Sequence, residues 1–229
     1  MDYVGEFSVF GKIANAKLLY DNDGKNYKIT ISGAGDGIVG KLTNHKSYTF
    51  TSIGRVENGI LIPSKYINTE IGKDFNKTKT YIFDYANKQT IVHEYKKEKK
   101  EFSKFNIISM GFDKTYRDVE TNKKDILDSL FKDDMVSVFF NKRHGLLSMH
   151  KGDVKLIYAL GSEDTQEGIM VKKLDTKDNK SIFSVMVKKD YIQGGSDDAT
   201  FTLDKNNILY ETRVDGIMFF GDAKVTRVN

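Results

Sequence analysis

The chain contains no cysteine and a single proline in its 229 residues. The absence of cysteine excludes disulfide bonds, thiol nucleophiles and thiolate metal sites. No apolar run is long enough to cross a membrane as a helix, so no transmembrane segment is predicted. The chain starts with Met1-Asp2-Tyr3 and has neither the basic start nor the apolar core of a secretory signal. We therefore expect either a cytosolic protein or one whose leader peptide has been removed.

The residues that are present are typical of a folded protein. Hydrophobic residues make up 39% of the chain and charged residues 30%, with 15 Phe and 12 Tyr available for burial. The formal net charge of +4 comes from dispersed lysines, so nucleic acid is not an expected partner. Because all-β domains of this length are commonly single, we predict one β-rich domain over residues 1–229.

Alternating apolar and polar residues, interrupted by Asx- and glycine-rich turns, run through most of the sequence. Few helical patterns intervene between these strand-like segments. This arrangement predicts an all-β, mainly antiparallel fold, in which a curved sheet closes into a barrel-like or sandwich structure.

Residues 47–66 contain the clearest hairpin signal. Hydroxyl residues alternate with Tyr48 and Phe50, and Asn58-Gly59 is a pair that tolerates the positive φ of a tight reversal. Pro63 has no backbone N–H for a strand ladder, so we predict that the second strand ends there.

One helical segment is predicted near residues 123–143. Two groups of apolar residues are spaced as on one face of a helix: Ile126, Leu127, Leu130 and Phe131, and then Met135, Val138 and Phe139. Asp125 and Asp134 are candidate helix starts, and Gly145 is a candidate helix stop. Such a segment would cover or plug one open side of the sheet.

Few residues indicate catalysis or metal binding. The four histidines are scattered in sequence: His45, His93, His144 and His150. The pairs Asp133-Asp134 and Asp197-Asp198 are adjacent carboxylates that diverge in direction, which is typical of turns and helix caps. No serine lies in a Gly-x-Ser-x-Gly motif. We predict a protein that is not an enzyme, with no catalytic residue, no cofactor site and no metal site.

The aromatic residues leave a ligand-binding interpretation open. Eight of them lie on candidate strands: Phe7, Phe10, Tyr20, Tyr27, Tyr48, Phe50, Tyr81 and Phe83. Most should pack in the core. A curved sheet of this kind can also enclose an apolar cavity, and the same side chains would then line a lipid site.

The order of several short motifs resembles the bacterial family known as domain of unknown function 3108. The motifs are Tyr3 with residues 11–16, Ser52-Ile53-Gly54 with residues 59–63 and Tyr66, Phe83-Asp84-Tyr85, and residues 134–140 with Arg143. The resemblance covers nearly the whole chain. It implies an exported envelope protein with a mainly β fold of barrel type, and it implies no catalytic residue because the family has no established activity.

We therefore expect a non-enzymatic periplasmic binding or scaffold protein of the bacterial cell envelope. It should act through contacts with an envelope protein, and Pro63, Lys65 and Tyr66 at the end of the central hairpin are the candidate partner-binding residues. The alternative is a carrier that holds a lipid or another apolar ligand inside the barrel.

Overall fold

The structure is a computed structural model that describes residues 1–8, 11–35, 37–42, 45–161, 164–186, 198–217 and 221–228. The strands in this part of the chain are β1 (Asp2–Phe7), β2 (Gly11–Asn22), β3 (Asn26–Gly35), β4 (Ser47–Glu57), β5 (Ile60–Gly72), β6 (Phe75–Asp84), β7 (Gln89–Asn106), β8 (Gly111–Leu127), β9 (Val154–Leu160), β10 (Gln166–Lys177), β11 (Lys180–Met186), β12 (Asp198–Leu203), β13 (Leu209–Ile217) and β14 (Gly221–Arg227). The helices are α1 (Gly37–Leu42) and α2 (Ser137–Phe140), with 3₁₀ turns at Lys142–His144 and Leu146–Ser148. No helix in the described ranges is long and apolar enough to span a membrane.

All these strands belong to one antiparallel sheet with the order β8-β7-β6-β5-β4-β3-β2-β1-β14-β13-β12-β11-β10-β9. Apart from β8 and β9, strands that follow each other in sequence are neighbours in the sheet, and β1 pairs with β14 to join the two halves. The predicted all-β, antiparallel class is confirmed. The edges of the sheet are β8 and β9, and no ladder of hydrogen bonds joins them in the described residues.

The central hairpin reverses at the predicted residues. Asn58 and Gly59 have φ values of 52° and 76°, which is the double positive φ of a tight two-residue turn. The prediction that Pro63 ends the second strand is wrong, because β5 continues to Gly72. The register shifts beside this proline, so the missing N–H falls at a bulge, where a strand tolerates it. The Pro63 carbonyl accepts a hydrogen bond from Tyr85 Oη at 2.7 Å.

The predicted helical segment is shorter than expected. Strand β8 extends to Leu127, so Ile126 and Leu127 pair with β7 and do not form a helical face. The helix α2 contains only four residues, and Gly145 ends the following 3₁₀ turn with a left-handed φ of 59°. The spacing of apolar residues was misleading because a strand end followed by an inward-pointing loop produces the same pattern as a helical face.

Residues 128–153, which we call the crossing segment, connect β8 to β9 through the interior of the curled sheet. Thr90 Oγ1 on β7 donates to the Ser129 carbonyl at 2.8 Å, and Leu160 N on β9 donates to the Asp133 carbonyl at 2.9 Å. The crossing segment therefore bonds to both ends of the sheet. Its side chains divide the interior into two apolar clusters.

The buried strand residues of the first cluster lie on β1–β7, with Leu160 of β9, and those of the second lie on β9–β12. Phe140 packs against the first cluster and Val138 belongs to the second, so α2 contacts both halves of the core. In β10, for example, the buried Ile169 and Val171 alternate with exposed residues and belong to the second cluster.

A two-stranded arm, residues 99–118, extends beyond the sheet. Strand β6 pairs with β7 only as far as Glu98, so beyond that point β7 and β8 pair only with each other. Residues 96–101 form a run of lysine and glutamate that by itself is typical of a solvated turn or strand end, but they lie inside β7. Charged side chains on both faces hid the strand pattern, because this ribbon has no buried face.

Candidate functional site

The main candidate site is a partly enclosed cavity of about 280 Å³ between α2 and the middle strands of the sheet. Its apolar lining comes from both halves of the sheet and from the crossing segment: Tyr3, Ala16, Leu18, Ile31, Val136, Phe139, Phe140, Val185, Phe201, Leu203, Leu209 and Val225. For comparison, an engineered apolar cavity of about 150 Å³ is large enough to hold benzene. The space is therefore sufficient for a small apolar molecule or part of a hydrocarbon chain.

Three polar side chains at the cavity wall have partners within the protein, and the fourth polar residue of the lining, Lys17, is exposed. Tyr3 Oη donates to the Leu209 carbonyl at 2.7 Å, and Asn207 Nδ2 donates to the Phe139 carbonyl at 2.6 Å. Thr212 Oγ1 donates to the Thr200 carbonyl at 2.9 Å. These bonds leave carbon as the main surface that the cavity offers to a ligand.

Two phenylalanines of α2 attach the helix to opposite walls of the cavity. The Phe139 ring lies edge-on to Phe201 with 5.8 Å between centroids, and the Phe140 ring lies 5.6 Å from that of Tyr20. Because one short helix contacts both walls, its position sets the width of the cavity.

A buried asparagine anchors the crossing segment to the central hairpin. Asn141 Oδ1 accepts from Leu61 N at 3.2 Å, and Asn141 Nδ2 donates to the Leu61 carbonyl at 2.8 Å and to Asp133 Oδ1 at 2.6 Å. The side-chain amide thus bonds to β5 in the way that a neighbouring strand would. Arg143 Nη2 also donates to the Leu61 carbonyl at 2.9 Å.

A second buried carboxylate starts the short helix. Asp134 Oδ1 accepts from Val136 N and Ser137 N, both at 2.8 Å, and Asp134 Oδ2 accepts from Ser52 Oγ at 2.6 Å. Asp134 therefore bonds to the start of α2, where the cap residue itself is Val136. The other candidate helix start, Asp125, lies within β8. Burial raises the pKa of the Asp134 carboxyl to about 6, although the hydrogen bonds from Ser52 and from the helix start lower it.

The closest approach to a catalytic arrangement is His144 Nε2, which lies 3.1 Å from Asp133 Oδ2. A catalytic triad also needs a nucleophile on the histidine. No serine or threonine hydroxyl hydrogen-bonds to His144 in the part of the chain that the structure describes. Among the same residues there is no group of three or more His, Asp or Glu side chains that could hold a metal ion. Asp133 also accepts from Asn141, so the pair belongs to the anchor of the crossing segment.

The predicted partner-binding residues do not share one surface. Pro63 is buried at the bulge, and Tyr66 is buried with its ring stacked on Tyr81 at 5.6 Å. Lys65 is exposed on the opposite face of β5. Of the three, only Lys65 is accessible to a partner.

The aromatic residues that line the cavity are not those expected from the sequence. Tyr27, Tyr81 and Phe83 pack in the core and Tyr48 is exposed, while Phe10 lies outside the described residues, as does Asp197 of the second acid pair. The rings at the cavity are Tyr3, Phe139, Phe140 and Phe201. The alternation in β12 marked Phe201 as inward-facing, but only the pairing of β1 with β14 brings both halves of the sheet to one cavity.

Comparison of the chain with family models, curated proteins and solved structures finds no match. The resemblance to domain of unknown function 3108 stays a prediction.

Proposed function

We propose that the protein binds a small apolar ligand, or part of a hydrocarbon chain, in the interior cavity. The observation that carries this proposal is the space of about 280 Å³ with apolar walls between α2 and the sheet. Close packing is the norm in protein interiors, where most voids are smaller than a water molecule. A void of this size is unfavourable for the apo protein and favours an occupant that supplies the missing apolar contacts.

The walls define the chemical class of the ligand. Its buried part should carry no charge and few hydrogen-bonding groups, because the polar atoms of Tyr3, Asn207 and Thr212 are engaged within the protein. The one charged residue of the lining, Lys17, is exposed. Any polar headgroup would have to remain at the open side, where water can solvate it.

Displacement of a fluorescent acyl chain tests this proposal. We expect cis-parinaric acid to become fluorescent on binding and a saturated fatty acid to displace it. Ala16→Leu should fill part of the cavity and reduce the affinity at least tenfold. Ala34→Leu is the matched control, because Ala34 is exposed on the neighbouring strand β3, and it should bind the acyl chain as the parent protein does.

Native mass spectrometry of gently purified protein provides an independent measurement. A bound apolar species that is lost in Ala16→Leu and retained in Ala34→Leu would support the proposal. Equal binding of the acyl chain by both variants would place the ligand elsewhere and contradict it.

A role as a periplasmic scaffold is a second proposal, and the open edges β8 and β9 support it. An unpaired strand edge offers backbone N–H and C=O groups to an added strand of a partner protein. Cell fractionation tests the periplasmic location, and crosslinking through a photoreactive residue at Lys65 or on β8 tests the contact. Crosslinks to one envelope protein that form from β8 and not from Lys65 would support partner binding through the strand edge.

A further inference from the structure

We propose that the tip of the arm inserts into the surface of an anionic lipid bilayer. The tip consists of Phe105, Ile107, Ile108, Met110 and Phe112, and its eight-residue stretch 105–112 contains no charged residue. Ile108 is 97% exposed, Ile107 79% and Met110 75%. Exposed apolar residues that are contiguous mark interaction sites, whereas single exposed ones are ordinary.

The shape of the arm favours a bilayer over a protein groove. The paired residues 99–106 carry the tip about 25 Å beyond the point where β6 stops pairing with β7. Phe105 and Phe112 pair on one face with ring centroids 5.4 Å apart, Phe102 lies on the other face, and the two isoleucines occupy the turn. A partner groove requires one apolar face, whereas a hydrocarbon phase accepts apolar side chains in all directions.

The backbone of the turn is adapted to an apolar medium. Asn106 Oδ1 accepts from Ile108 N at 3.0 Å and from Ser109 N at 3.4 Å, and Asn106 Nδ2 donates to Asp113 Oδ2 at 2.8 Å. Unsatisfied backbone groups are what make loops costly in lipid, and here the side chain of Asn106 satisfies two of them.

Cations stand directly behind the tip and select the lipid charge. Residues 100–117 contain four basic side chains, Lys100, Lys104, Lys114 and Arg117, and two acidic ones. Within the described residues, Lys104 and Arg117 pair with no carboxylate, and the Arg117 guanidinium lies 5.8 Å from the Phe102 ring centroid. Positive charge at headgroup depth favours phosphatidylglycerol or another anionic lipid over neutral lipid.

A tryptophan reporter tests the insertion, because the chain has no tryptophan of its own. In full-length Phe112→Trp, we expect a blue shift of the emission with vesicles of phosphatidylcholine and phosphatidylglycerol, and partitioning at least tenfold weaker with phosphatidylcholine alone. Leu19→Trp, on the outer face of β2, should show no shift.

Three further variants test whether vesicle binding depends on the tip itself. Ile108→Asp should reduce vesicle binding at least tenfold, whereas Leu19→Asp should not, and thermal melts should confirm that both variants are folded. Lys104→Gln should lower binding about fivefold on anionic vesicles only. Ala16→Leu should bind vesicles normally, because the tip and the cavity are separate parts of the molecule.

Absence of partitioning, or equal effects of Ile108→Asp and Leu19→Asp, would overturn the proposal. Sedimentation velocity covers the alternative that the tip docks on a second copy of the chain. Self-association that Ile108→Asp abolishes, without vesicle binding by the parent protein, would assign the tip to a protein interface and overturn the bilayer proposal.

Discussion

At the scale of single residues, two glycines of the central hairpin are required for different reasons. A methyl group at Gly54 would overlap the Ile62 carbonyl and lie 2.8 Å from Tyr27 Cε1. Gly59 has open space around it but a φ of +76°. We therefore expect Gly54→Ala to lower the free energy of unfolding by about 3 kcal/mol, and Gly59→Ala by about 1–2 kcal/mol.

Urea unfolding of both variants beside Lys65→Ala checks this order. Lys65 is exposed, so Lys65→Ala should stay within about 0.5 kcal/mol of the parent. If Gly54→Ala were no more destabilising than Lys65→Ala, the close contact of β4 with β5 at the bulge would be misplaced.

The buried carboxyl of Asp134 makes stability depend on pH. Its pKa is raised from the ordinary aspartate value of 3.8 to about 6. Between these two values the folded protein holds a proton that the unfolded chain has released. The free energy of unfolding should therefore fall as pH rises from about 4 to about 6, by up to about 3 kcal/mol, and then level off.

Asp134→Asn should remove this pH dependence, because an amide can still accept from the helix start but does not ionise. Unfolding free energies at pH 4.5 and 7.5 measure the effect. Asp128→Asn, at an exposed position of the crossing segment, is the control and should keep the slope of the parent protein. The same slope in Asp134→Asn and in the parent would assign the titration to another group.

At the scale of elements, the anchoring of the crossing segment decides whether the two core clusters remain separate. Asn141→Ala removes the amide that bonds to both backbone groups of Leu61 and to Asp133. Leu61 N would be left buried without a partner, while the Leu61 carbonyl would keep only Arg143 and Asp133 would keep His144. We therefore expect a loss of about 2–3 kcal/mol. Hydrogen exchange should also increase over residues 137–146. Asn206→Ala, at an exposed position, should leave both measurements unchanged.

Elements that depend on contacts between residues close in sequence were predictable, and those that depend on contacts between distant residues were not. The hairpin turn at Asn58-Gly59 was predictable because a two-residue reversal depends on local φ values. The end of β8 at Leu127 was not, because it depends on pairing with Thr90 across a long hairpin. The cavity depends on a contact that is still more distant in sequence, between β1 and β14. Local patterns in a single sequence contain no information on the pairing of β1 with β14.

At the scale of the whole molecule, the crossing segment and the Asp164 side chain link the two halves of the sheet, whose edges no strand ladder joins in the described residues. The crossing segment binds β7 and β9 through its backbone, and Asp164, beyond the end of β9, reaches the other half of the sheet. Asp164 accepts from Lys79 Nζ at 2.8 and 3.0 Å and from Tyr81 Oη at 2.6 Å on β6. The curvature that encloses the cavity therefore depends on a few polar contacts between the two halves.

The contacts of Asp164 lead to a prediction for the whole fold. In Asp164→Asn the charge is lost while the positive φ of 62° remains tolerable, since asparagine adopts it readily. We expect a loss of about 1–2 kcal/mol, because bonds from a lysine to a carboxylate are stronger than neutral ones but this pair is partly exposed. High salt should reduce the difference in stability from the parent protein.

Asp178→Asn is the matched control, with a φ of 50° at an exposed turn, and its stability should equal that of the parent protein. Urea unfolding at low and high salt measures all three proteins, and equal stability of the two variants would mean that Asp164 does not hold the halves of the sheet together.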